Sequence, residues 1–277
     1  MLLGYGTNGL QNHRFGDALA LLAAHGYQAV AITPDTCHLD PDRTTDRELG
    51  EWARRLGDLG LAPSMETGAR FVLDPHHKHE PTLMTADRAG RERRIEFTRR
   101  VAAMGARLGA QVVSFWAGID RSPGPDSRDR LLDGIRRTCA AVRAEGLIPS
   151  LEPEPEMAVE TFADWQRVRG ELGADAPGLT LDIGHLYAVW EGDPAAVIAA
   201  GAPFLHQVHL EDMRRGTHEH LLPGAGDVDF SGVLTALQKA GYKGPVCFEL
   251  ARSSHQAPAA VATCRQVFEA NLGPRRR

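Results

Sequence analysis

Short, continuously apolar runs alternate along this chain with longer stretches whose apolar residues recur every three or four positions. The runs at 1–7, 28–33, 63–66, 111–116, 147–152, 178–182, 204–210 and 245–250 predict strands. The stretches at 15–25, 46–59, 86–108, 128–145, 161–172, 194–201, 231–240 and 257–271 predict helices, several of them stopped by Gly26, Gly60, Gly109, Gly146 and Gly241. Runs without polar alternation are what parallel strands covered on both faces require, and their regular alternation with helices implies a parallel sheet. Eight such units suit a single closed (β/α)8 TIM barrel, an α/β fold of roughly 250 residues. An open doubly wound sheet is the alternative, but it needs fewer strands and a recognisable nucleotide turn.

The connections carry further information. Gly4-Tyr5-Gly6-Thr7-Asn8-Gly9 is rich in glycine but lacks both the spacing of a nucleotide fingerprint and a lysine. Two connections, 67–85 with its His76, His77 and His79, and 211–229 with His218 and His220, are long and follow strands. In a barrel that is the face where sites lie, and long loops there are usually functional. The first is read as a candidate lid.

The 277 residues are 43% hydrophobic and 24% charged, enough for one barrel domain over 1–273, with 274–277 left as a disordered tail. A net charge of -5 argues against a general nucleic-acid binder, which needs a basic face for phosphate. The four cysteines, Cys37, Cys139, Cys247 and Cys264, form no C-x-x-C pair, so they are read as reduced thiols. With no basic segment leading an apolar one at the N-terminus and no run of about 18 apolar residues, neither secretion nor membrane spanning is expected, and the cytoplasm is the default.

Polar residues cluster at the predicted strand ends. Glu66 closes the third, Glu152 the fifth, Asp182 the sixth, His209 the seventh and Glu249 the eighth. A carboxylate buried at a barrel mouth is costly unless its charge is offset. The set Glu152, Asp182, His209 and Glu249 is hard and oxygen-rich with one imidazole, which suits one Mn²⁺, Mg²⁺ or Co²⁺ ion, with Zn²⁺ as the fallback. Each of these residues alone could equally be a capping or core-satisfying group. Phe115 and Trp116 read as packing or as an aromatic wall for a sugar, and so do Tyr187 and Trp190. Glu154 and Glu156 read as a solvated acidic loop or as extra contacts. His218 and His220 stand between site and surface, whereas His76, His77 and His79 are expected on an exposed loop.

The motifs Leu151-Glu152-Pro153, Leu181-Asp182-Ile183-Gly184-His185, Val208-His209-Leu210-Glu211-Asp212, Pro223-Gly224-Ala225-Gly226-Asp227-Val228-Asp229-Phe230 and Gly241-Tyr242-Lys243-Gly244-Pro245-Val246-Cys247-Phe248-Glu249 resemble the xylose isomerase-like barrel superfamily. They are most similar to its sugar isomerase and epimerase branch, with ketose 3-epimerases, hydroxypyruvate isomerase and inosose dehydratase. The likeness covers the C-terminal half; the N-terminal half shares only the rhythm of strands and helices. It implies a divalent metal held by Glu152, Asp182, His209 and Glu249. It also implies that Glu152 and Glu249 face opposite sides of a substrate carbon and shuttle protons through an enediolate. His185 would contact substrate oxygens, as would an arginine after the seventh strand, either Arg214 or Arg215, with Arg215 as the candidate carried forward. Glu66 and Trp116, from their strand-end positions and not from the likeness, are further candidate substrate contacts.

The implied activity is isomerisation or epimerisation of a small keto-sugar, polyol or cyclitol, with dehydration or lysis as a close variant. A multi-metal phosphoesterase resembling the apurinic endonuclease branch is the alternative, in which His185 becomes a ligand, and a barrel that binds a metabolite without turnover is a third reading. The expected partner is a small polar carbohydrate-like molecule, not nucleic acid or membrane, and the resemblance admits a homo-oligomer. No basic pocket for phosphate is legible, so an unphosphorylated substrate is expected.

Overall fold

Each apolar run becomes a strand because neighbouring runs satisfy its backbone while helices cover its outer face. The computed structural model describes residues 1–272, so the tail expected at 274–277 lies outside the described residues. The strands are β1 (Leu2–Gly6), β2 (Ala29–Ile32), β3 (Ala62–Glu66), β4 (Val112–Phe115), β5 (Ile148–Leu151), β6 (Gly178–Asp182), β7 (Leu205–Leu210) and β8 (Pro245–Phe248). They pair in parallel in sequence order, and β8 returns to β1 with Leu2 opposite Pro245 and Tyr5 opposite Phe248, which closes the barrel.

Around it lie α1 (Phe15–Ala24), α2 (Asp46–Asp58), α3 (Arg88–Leu108), α4 (Ser127–Ala144), α5 (Phe162–Leu172), α6 (Ile183–Ala188), α7 (Pro194–Gly201), α8 (Phe230–Lys239) and α9 (Ala257–Asn271). Their starts are fixed locally. Thr45 and Glu48 form a capping box on α2, as Thr161 and Asp164 do on α5, while Asp87 and Asp229 cap α3 and α8 through Gly90 N–H and Gly232 N–H. Gly26, Gly60, Gly109, Gly146 and Gly241 all have positive φ, the left-handed conformation that ends a helix at little steric cost to glycine. Among the described residues no helix is long and apolar enough to cross a membrane.

The absence of polar alternation expected of the strands is corrected by the structure. Val113, Leu179, Leu181, Val208 and Val246 are buried against the helices, but Ser64, Ser114, Ser150, Thr180 and Gln207 are buried too. Side chains two apart share a face of a strand. The inward positions therefore carry small polar groups one layer beneath Glu66, Glu152, Asp182 and His209. Gln207 makes the link explicit, because its side-chain amide donates to Glu66.

Candidate metal centre

Asp182 shows how the chain builds this site. As the last residue of β6 it is also the N-cap of α6, its Oδ1 accepting from His185 N–H at 3.0 Å. Its Oδ2 is buried and has no hydrogen-bond partner, so one oxygen folds the chain and the other is left to act. The helix that follows is not among those the sequence predicts. Six residues show no period, and the Asp-x-x-His spacing that signals the cap reads there only as a chemical motif.

Glu152, Asp182, His209 and Glu249 each offer one ligand atom, and these atoms all lie within 4.8 Å of one another. His209 Nδ1 is at the centre, 2.8 Å from Glu152 Oε1, 3.0 Å from Glu249 Oε2 and 4.0 Å from Asp182 Oδ2. The other ring nitrogen lies 3.0 Å from Glu66 Oε1. Both ring nitrogens face carboxylates, so Nδ1 donates toward Glu152 and Glu249 and Nε2 toward Glu66; with a metal on Nδ1, Nε2 would keep its proton and Glu66 would accept it. Asn8 donates to Glu249 Oε1 at 2.7 Å, which fixes that carboxylate from the β1 side.

The charges are strained by burial. Burial raises Glu152 to about 8, although His209 pulls it back. Burial also acts to raise Glu249, but the charge of His209 and its hydrogen bond outweigh it, and the group is held below its ordinary range. Burial and then the charge of Glu152 push Glu154 well above the usual carboxylate range. Burial would lower His209, yet Glu152, Glu66 and Glu249 together raise it. Three carboxylates thus share one imidazolium, and the buried Oδ2 of Asp182 beside them has no hydrogen-bond partner. This donor set fits a divalent cation, whose charge would offset the crowding that His209 balances alone.

A second group of donors adjoins the first. His185, His218 and His220 also have ligand atoms within 4.8 Å of one another. The Nδ1 of His185 is 3.0 Å from the Pro153 carbonyl, which can only accept, so Nδ1 carries the proton and the buried, unpartnered Nε2 keeps its lone pair. That Nε2 lies 3.5 Å from Asp182 Oδ2 and 3.8 Å from Glu154 Oε2. Burial, with His185 and His220 adding to it, lowers His218 to about 4, which leaves it neutral.

A cavity of about 460 Å³ opens above these groups, lined among others by Glu66, Trp116, Glu152, Glu154 and Glu249. His79, His218 and His220 line it as well, whereas His77 stays on the exposed loop beside Asp74. Trp116 is wedged between the guanidinium of buried Arg94, 4.2 Å above its ring, and the edge of His79, whose Nδ1 holds the Gly68 carbonyl at 2.7 Å. Arg94 also donates to the Thr67 carbonyl, so the expected lid, 67–85, is packed over the mouth. Arg215 is not brought to the cavity. Its guanidinium lies 5.7 Å from Tyr187 and 5.4 Å from Trp190, stacked on aromatic rings outside it, and the adjacent Arg214 is exposed.

One acidic residue, Asp212, holds the loop 211–229, and no sequence pattern marks it as doing so; its neighbour Glu211 is buried beside it. Asp212 accepts from Met213 N–H and Val228 N–H at 3.0 Å and from Gly224 N–H at 2.7 Å, which ties the Pro-Gly-Ala-Gly-Asp segment to the end of β7. Glu211 is fully buried with neither oxygen partnered, and burial raises its carboxyl well above the usual range. It lies against Gly184, where an added Cβ would sit 1.9 Å from Glu211 Oε1 and 2.7 Å from Met213 Cε. Gly184→Ala is therefore expected to cost about 1–3 kcal/mol and lower Tm by about 2–10 °C in thermal unfolding. An unchanged Tm would show that Glu211 yields freely.

Comparison with known proteins gives a consistent picture of the architecture. The family model described as a xylose isomerase-like TIM barrel matches residues 19–269. The L-ribulose 3-epimerase of Mesorhizobium japonicum is 26% identical over 220 residues, 76% of this chain and 68% of that protein. The inosose dehydratase of Lacticaseibacillus casei is 26% identical over 141 residues, 45% of this chain and 47% of that one. Among solved structures, that of the IolI protein with a bound zinc atom has a TM-score of 0.78 at 20% identity, covering 99% of this chain and all (100%) of that one.

Proposed function

The chain belongs to the xylose isomerase-like TIM-barrel family, and from that premise we propose that it is a divalent-metal-dependent isomerase or epimerase of a small keto-sugar, polyol or cyclitol. The observation that carries this reading is the convergence of Glu152, Asp182, His209 and Glu249, at the ends of four consecutive strands, with one ligand atom from each within 4.8 Å of the others and Glu152 and Glu249 opening to the cavity. These four residues would hold one divalent ion, Mn²⁺, Mg²⁺ or Co²⁺ before Zn²⁺. When bound it polarises a carbonyl and the neighbouring hydroxyl and so acidifies the C–H between them.

The chain's own groups do the proton work. Glu152 and Glu249 come from opposite ends of the four-strand arc, the placement this reading needs for a carboxylate on each side of a substrate carbon lying above the ion. One glutamate removes the proton from carbon and leaves an enediolate. Return of a proton to the other face of that carbon by the second glutamate gives epimerisation, and return to the adjacent carbon gives isomerisation. Expulsion of a β-hydroxyl from the same enediolate would make the enzyme a dehydratase. His185 Nε2, neutral and unpartnered, accepts from a substrate hydroxyl, and Trp116 supplies an apolar wall.

Glu66, expected from the sequence at the substrate, has a further role in this reading: it orients His209. Glu66→Ala should weaken metal binding by about 10–100-fold, measured by competition with a chelating dye, without changing the number of ions bound. Unchanged affinity would remove Glu66 from the support of His209.

A second reading is favoured by His185, His218 and His220, which could hold more metal and make the site a multi-metal phosphoesterase. Metal content per chain, by mass spectrometry after dialysis, separates the two: one equivalent supports the isomerase and three support phosphodiester cleavage. A protein that holds no divalent metal and ignores chelator would contradict both.

A further inference from the structure

Charges of both signs line the cavity. Its acids are Glu66, Glu152, Glu154, Glu156 and Glu249. Arg70 and Lys78, from the loop after β3, and Arg252, from the segment after β8, line the same cavity. Because β8, β1, β2 and β3 are adjacent in the closed barrel, these three cations occupy one continuous sector. Thr33, at the end of β2, stands in that sector with a buried hydroxyl that has no partner.

The simplest account of such cations is that they neutralise the acidic floor. Their contacts argue against it. Among the described residues neither Arg70 nor Lys78 has a carboxylate within 4.0 Å; Arg70 donates instead to the neutral amide oxygen of Gln11. Arg252 reaches Glu219 only at 4.0 Å with its side chain 68% exposed. Lys78 is depressed from its ordinary pKa by partial burial and then by the charges of Arg70 and Arg252, against a smaller opposing effect of Glu154. Like charges gathered in a cavity wall with no carboxylate in close contact are stabilised by an anion that binds there, and two guanidinium groups suit the paired oxygens of phosphate or carboxylate. Arg214 and Arg215, expected after β7, lie outside this cavity, so Arg70, Lys78 and Arg252 are the cations placed to meet a ligand.

We propose that Arg70, Lys78 and Arg252 bind a terminal anionic group, phosphate or carboxylate, on the keto-sugar whose reacting carbons lie between Glu152 and Glu249. This rests on the isomerase reading, and where the group is phosphate it departs from the unphosphorylated substrate expected from the sequence. The three cations then orient the ligand: its anionic end meets Arg70, Lys78 and Arg252 while its carbonyl end meets the four-donor group.

Calorimetric titration of the metal-loaded protein tests it with D-ribulose, D-ribulose 5-phosphate and a keto-hexuronate. At least one charged ligand should bind about tenfold or more tightly than ribulose, and which one does so distinguishes phosphate from carboxylate. That margin should shrink when salt rises from about 50 to about 500 mM. It should also shrink in Arg70→Gln and in Lys78→Gln, whose folding is checked by thermal unfolding. Equal binding of all three ligands, or a margin that survives in the double variant, overturns the proposal. Deuterium exchange into ribulose in the same samples keeps the two readings apart. Exchange without any margin sinks the anion site alone, whereas a margin lost with Arg70 and Lys78, but no exchange into any ketose, sinks the isomerase alone.

Discussion

His209→Ala and Asp182→Asn are expected to emerge from dialysis nearly free of divalent metal, where the unaltered protein keeps one equivalent. His209 Nδ1 is the donor nearest to both Glu152 and Glu249, and its loss leaves three carboxylates facing one another with no imidazole between them. Loss of a residue that only orients a ligand costs about 10–100-fold in affinity, so loss of a ligand should cost at least about 100-fold. Asp182→Asn is the sharper of the two. Its amide oxygen still accepts from His185 N–H and keeps the cap on α6, whereas alanine would forfeit about 0.5–2 kcal/mol of helix stability as well. A variant that folds normally but fails to hold metal assigns the loss to Oδ2. Metal content equal to that of the unaltered protein would remove Asp182 from the site.

Glu152→Gln and Glu249→Gln should each lower turnover of a keto-sugar by about 10²–10⁴-fold, the range a positioned acid or base supplies. Both are also proposed ligands, so turnover has to be compared at saturating metal. The amide keeps the size of the side chain and can still coordinate through oxygen, but it can neither take nor return a proton. The two variants also differ in what they leave behind. The side chain of Glu152 is 6% exposed and lies 2.8 Å from His209 Nδ1, whereas that of Glu249 is 20% exposed, lies 3.0 Å from the same nitrogen and is also held by Asn8. The Glu152 variant therefore disturbs His209 more, and it should lose more metal affinity than the Glu249 variant. A variant within about threefold of full turnover would exclude that carboxylate from the proton path.

The barrel and its four-donor group are legible in the amino-acid sequence. Strand runs and glycine stops predict the barrel because each is a local signal with a local cause: a buried strand needs apolar residues, and a left-handed helix end favours glycine. The four-donor group is legible for a related reason, since the ends of parallel strands in a barrel all emerge on one face. Side chains beyond the strand ends are harder to place. Arg215 follows β7 as expected, but its direction is set by stacking on Tyr187 and Trp190, a contact with no sequence period. Arg70 and Lys78 carry no pattern either, because their loop is folded by isolated contacts: His79 to the Gly68 carbonyl and Arg94 to the Thr67 carbonyl. His218 and His220 reach the cavity because Asp212, a few residues earlier in the chain, gathers three backbone amides. The small polar layer under the site is hidden by its chemistry, since serine and threonine between valines and leucines still read as an apolar run.

Proton exchange between substrate and solvent tests the central claim most directly. With metal-loaded protein in deuterated water and candidate ketoses, charged and uncharged, NMR should show deuterium entering the carbon beside the carbonyl. For a given ketose the label should be lost at saturating metal in the variant that lacks the glutamate facing its C–H, Glu152→Gln or Glu249→Gln, and kept in the other, which can exchange the proton but not invert the carbon. Label that enters equally in both variants and the unaltered protein would contradict proton transfer by this pair of glutamates.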